Sequence, residues 1–74
     1  MKISYDAEVD AAYITVVDHI GDGEAETQRH SIPTPDPEGE IVLDFDARGF
    51  LLGVEVLGAS RVLRPELLAT AEAE

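Results

Sequence analysis

The chain contains no cysteine. That excludes disulfide staples, thiol catalysis and Cys-based zinc sites, and it gives no sign of an oxidising compartment. A domain of 74 residues buries only about 60% of the surface its unfolded chain exposes, so without staples it needs another source of stability. Association with a second chain is the expected one. Long apolar runs are also missing, and none approaches the roughly 20 residues of a membrane-spanning helix. The opening "MKISYDAEVD" enters a strand-like pattern without a basic, apolar, small-residue leader. The expectation is a soluble cytoplasmic protein that makes no membrane contact. Cations are scarce: five Lys and Arg stand against sixteen Asp and Glu, a formal net charge of −11. Such a surface repels nucleic acid and anionic lipid and suits a basic partner. The acidic residues are spread along the chain rather than gathered in a block, which argues against a disordered acidic tail.

What is present is mostly β-type. "KISY" (Lys2 to Tyr5) and "AAYITVV" (Ala11 to Val17) flank "DAEVD", where Asp6 and Asp10 can accept backbone hydrogen bonds and close a hairpin turn. "HIGDG" supplies glycines for a second reversal, and the polar "EAETQRHSI" (Glu24 to Ile32) suits an exposed edge strand. "PTPDPEG" (Pro33 to Gly39) holds three prolines at alternate positions, which fixes an extended, non-helical loop. Two strongly apolar runs follow, "EIVLDFD" and "FLLGVEVL", and then "RPELLATA", with Pro at a probable first helical turn. The fold class expected is α+β and mainly β. It is a single domain over residues 1–74, an antiparallel meander of four to five strands over about 2–57 with a short C-terminal helical segment over about 60–72.

"DFDARGFLLGVE" (Asp44 to Glu55) spells part of a calcium loop, with Asp at positions one and three, Gly at six and Glu at twelve. The preceding prolines cannot form the entering helix, Arg48 stands where an oxygen ligand belongs, and Leu52 occupies the ninth position. A hairpin explains the same letters: Asp46 opens a tight turn and Gly49 supplies positive φ before the return strand. Leu43 would then face Leu52 or Gly53, according to whether the turn is two residues or carries a Gly bulge. Apolar residues occupy both alternations of these strands, and one short helix cannot cover two faces. Val42, Leu51 and Leu57 are therefore the expected interface residues, and Asp46 and Gly49 define the turn. Gly53 permits a close backbone approach or marks a bulge.

Taken together, "KISYD", "DAAYI", "LDFDARG" and "GVEVLGAS" resemble the domain of unknown function 2283 family of small bacterial proteins. The resemblance runs over most of residues 1–61, with a longer Pro33 to Pro37 connection than is usual there. It implies a small β-rich domain, often encoded beside a small toxin-like protein, and no catalytic or binding residues carry over.

The remaining chemistry is thin. His19 and His30 with nearby carboxylates are the raw material of a zinc or manganese site, but a glycine turn separates them. Asp44 and Glu55 form an acid/base pair only if they share a face and a pocket. Ser4, Ser31 and Ser60 lack a nucleophile elbow, and there is no Gly-rich phosphate loop. Ser60 suits a helix cap accepting from backbone N–H groups, and Tyr5 and Tyr13 suit cross-strand packing beside Asp6 and Asp10. The reading is a non-enzymatic interaction module without a metal or cofactor, homodimeric or bound to a basic protein, in its most concrete form the antitoxin-like half of a toxin–antitoxin-type pair. The alternative is a metal-binding protein or metal-dependent enzyme using His19, His30 and carboxylates.

Overall fold

The computed structural model describes residues 1–73. Six strands form one sheet: β1 (Lys2–Asp6), β2 (Ala11–Thr15), β3 (Thr27–Pro33), β4 (Glu40–Phe45), β5 (Leu51–Leu57) and β6 (Glu72–Ala73). Two short helices, α1 (Ala59–Val62) and α2 (Pro65–Ala69), lie between β5 and β6. The mainly β class with C-terminal helical turns is thus observed.

The strand order departs from a meander, being β3-β4-β5-β2-β1-β6. The chain leaves β2, crosses to the far edge as β3, and returns so that β5 pairs with β2. Hydropathy accounts for this order. β5 is the most apolar strand and gains from a neighbour on each side, whereas "TQRHSIP" tolerates the edge. The edge strand begins at Thr27 rather than Glu24, takes in Pro33, and is broken by a bulge between Arg29 and Ile32, with Ser31 at φ 62. Such a break blunts an open edge against stray pairing. β6 pairs with β1 in parallel over two residues, too few for any periodicity to announce it.

The β4–β5 hairpin turns on Asp46 and Gly49. The Asp46 carboxylate accepts from the Arg48 and Phe50 backbone N–H groups, and the Gly49 N–H bonds the Asp46 carbonyl. Gly49 has φ 87, a left-handed conformation that suits a residue without a side chain. Leu43 pairs with neither Leu52 nor Gly53 but with Val54. A second irregularity, at Leu52, shifts the register beyond what the turn alone would set.

The helical segment is in two pieces because Pro65 forces Arg64 into an extended conformation, ψ 144. Its first piece is held by the first hairpin. Asp10 accepts from the Ser60 N–H and hydroxyl through its carboxylate, and from the Ala59 N–H through its carbonyl. Ser60 is therefore a donor and not the cap acceptor expected from sequence, since Gly58 occupies the N-cap position and the capping carboxylate comes from 50 residues away. The helices cover one end of one sheet face, where Ala12, Val56 and Ala59 form the buried centre and Tyr5, Ile14, Ile41, Val54, Val62, Leu63 and Leu68 pack around it.

Candidate functional site

Directly opposed residues of paired strands point to the same side of a sheet, so the registers sort every strand residue onto one of two faces. One face is aliphatic. Its inner row, Ile41, Val56, Ala12 and Tyr5, lies under the helices. The next row, Leu43, Val54, Ile14 and Ile3, crosses four strands and stays only half-buried.

The opposite face holds the acids. Five carboxylates are carried by the strands, Asp6, Glu40, Asp44, Glu55 and Glu72, and the pairings place all five on this face. The aliphatic face carries no strand carboxylate among the described residues, and its strand cation is Arg29. The remaining acids of the −11 chain lie outside the strands, so the separation holds for the strand residues.

Asp44 is the centre of the acidic face. It is 6% exposed, and a charge so placed needs hydrogen-bond partners. Tyr13 donates to one carboxylate oxygen at 2.7 Å, and Gln28 donates to the other at 2.8 Å. Tyr13 reaches Asp44 from β2 by passing over β5 at Gly53, where any Cβ would overlap the phenol. The close approach that Gly53 allows is thus to a side chain, an aromatic laid over a strand glycine. Burial raises the Tyr13 hydroxyl above the usual phenol range, helped by the bond to Asp44 and the charges of Asp44 and Glu55.

Asp44 and Glu55 do share this face, with Glu55 directly opposite Tyr13 and Val42. The adjoining concavity, bounded by Asp6, Val9, Ala11, Tyr13 and Glu55, holds about 180 Å³, below the roughly 300 Å³ at which small-molecule sites begin.

The interface residues expected from sequence are divided by the fold. Val42 and Leu57 lie on the acidic face, and Val42 is already buried within the chain at 6% exposure. Leu51 pairs with Phe45 and is half-buried. His19 and His30 are both exposed, and no three His, Asp or Glu side chains converge among the described residues. Tyr5 donates to Asp10 at 2.6 Å, which together with the Ser60 contacts holds the Asp10 carboxyl below its ordinary range. The Tyr13–Asp44 contact was hidden in the sequence, because it depends on β5 lying between β2 and β4.

No helix among the described residues is long and apolar enough to cross a membrane. No curated protein and no solved structure matches the chain. The model of the family described as "Protein of unknown function (DUF2283)" matches residues 2–60, a span that takes in β1 to β5 and the Asp10–Ser60 clasp. The chain belongs to this family.

Proposed function

We propose that the chain is a non-enzymatic protein-interaction module whose acidic face receives a basic protein. Its most concrete version is the antitoxin-like half of a toxin–antitoxin-type pair. The observation that supports this reading is the placement of all five strand carboxylates on one face. Glu40 and Glu55 are half-buried at the edges of strand pairs, and Glu72 is exposed, so the face offers fixed carboxylates across several strands. Lys and Arg side chains laid on such a surface form charge-assisted hydrogen bonds, and the field of the whole acidic chain steers their approach. Among the described strand residues the cation on this face is Lys2, 3.9 Å from Glu72 in an exposed pair.

The test is affinity capture from the native host with mass spectrometry, followed by titration of the captured protein against the chain at increasing salt. A basic protein should be recovered, its affinity should fall as salt rises, and Glu55→Gln should weaken it further. Capture of acidic proteins alone, or an affinity indifferent to both salt and Glu55→Gln, would overturn the reading.

A further inference from the structure

We infer that the uncovered end of the aliphatic face is the seat of a second copy of this chain, packed sheet to sheet about a two-fold axis. The inference concerns the face opposite the proposed basic-protein surface and does not depend on that reading.

Its first support is the pattern of apolar rows. Leu43, Val54, Ile14 and Ile3 line up across β4, β5, β2 and β1, a run of about 14 Å at the usual strand spacing. Alternation carries the same face outward to Phe45, to Val16 at 38% exposure and to Met1 at 90%. Ile14 and Val54 touch the buried centre under the helices, while all four residues of the row keep partial exposure.

The second support is area. A folded monomer of 8.0 kDa exposes about 4,500 Å² by the surface-to-mass relation, whereas this chain exposes 5109 Å². The excess of roughly 600 Å² approaches the ~800 Å² that each partner contributes to a standard interface. A flat single-layer sheet, 17 Å along its shortest axis, gains the second layer that a stable domain needs when a twin is placed on it at about 10 Å.

Charge selects the occupant. A twin brings another −11, so two copies meet most readily across the face whose strands carry no carboxylate. A basic protein finds the strand carboxylates on the other face, whereas the strand cation of this one is Arg29. A two-fold arrangement is self-complementary, so one such patch per chain suffices.

The experiment is sedimentation equilibrium of the chain alone at moderate salt, comparing wild type with Val16→Glu and Thr15→Glu. These adjacent positions lie on opposite faces, Val16 on the aliphatic side and Thr15 opposite Gly53 on the acidic side. Wild type should have twice the mass of one chain, and Val16→Glu should raise the dissociation constant at least about tenfold, by burying an unpaired carboxylate in the interface. Thr15→Glu should leave the constant within about threefold, since only screened, longer-range repulsion is added. Circular dichroism melts confirm that both variants are folded. Should Val16→Glu fail to fold, Ile3→Glu takes its place at a half-buried residue of the same face. A wild-type monomer at high micromolar concentration, or equal weakening by Val16→Glu and Thr15→Glu, would overturn the inference.

Discussion

Tyr13 and Asp44 stand two strands apart in the sheet, yet the phenol donates a 2.7 Å hydrogen bond to the carboxylate by lying over the bare backbone of Gly53. Gln28 completes the arrangement from the other side at 2.8 Å. One polar chain therefore ties β3, β4 and β2 together across β5, and it keeps a buried acid satisfied on the face that the helices leave open.

Gly53→Ala should destabilise the fold by about 1–3 kcal/mol, because the added methyl overlaps the Tyr13 hydroxyl and ring and must displace them. Urea denaturation measures this. Combining it with Tyr13→Ala should cost less than the sum of the two single changes, since removing the ring removes the collision. Strict additivity would mean that the ring does not lie over the glycine.

The chain has two tyrosines and no tryptophan, so tyrosinate absorbance reports both phenols cleanly. Tyr13 is raised mainly by burial and Tyr5 mainly by its hydrogen bond to Asp10. A phenol whose folded pKa lies above its unfolded value, near 10, contributes stability that is fully present below pH 10 and is lost as pH rises toward the folded value. Less than half of the tyrosinate should be present at pH 10, and the Tyr13 share should appear together with alkaline unfolding. Half-ionisation of both phenols at pH 10 in the folded protein would contradict the two hydrogen bonds.

At the acid end the sign reverses. The bonds from Tyr5 and Ser60 hold the Asp10 carboxyl below the ordinary aspartate value of about 3.9. Its stabilisation is therefore present above that value and is lost as pH falls through the lower folded value. Ser60→Ala removes one donor, so the difference in denaturation midpoint between wild type and Ser60→Ala should be constant at neutral pH and shrink below about pH 3.9. A pH-independent difference would show that the hydroxyl acts through something other than the Asp10 carboxylate.

Gly49→Val should cost of order 1 kcal/mol or more through its left-handed φ alone, because no heavy atom lies within 4 Å of the position a Cβ would take. Arg48→Ala loses only the stacking of its guanidinium 5.0 Å above the exposed Phe50 ring, worth about 0.5–1 kcal/mol at such a site. A Gly49→Val midpoint equal to that of the wild type would remove the turn assignment.

How much of this could be read from the letters follows from the range of each interaction. The Asp46–Gly49 turn is legible because its hydrogen bonds close within five residues. The edge position of β3 is legible from its polar composition, and the break at Arg64 from the following Pro65. The strand order is not, because nothing local tells β2 to pair with β5, and the Tyr13 bond and the capping of α1 by Asp10 follow from long-range placement. The two faces are half legible: alternation within "EIVLDF" already sets Glu40 and Asp44 against Ile41 and Leu43. Extending that separation to Asp6, Glu55 and Glu72 requires the registers.

On the proposals above the two faces take different occupants, a twin on the aliphatic side and a basic protein on the acidic side. Methyl resonances report it directly, because Ile3, Ile14, Leu43 and Val54 sit on one face and Val42 and Leu57 on the other. In a methyl-labelled sample, dilution of the chain alone should move the first set and leave the second unchanged. Addition of polylysine as a basic probe at constant chain concentration should move the second set and leave the first unchanged. Dilution shifts concentrated at Val42 and Leu57, or polylysine shifts concentrated at Ile3, Ile14, Leu43 and Val54, would contradict the assignment of the two faces.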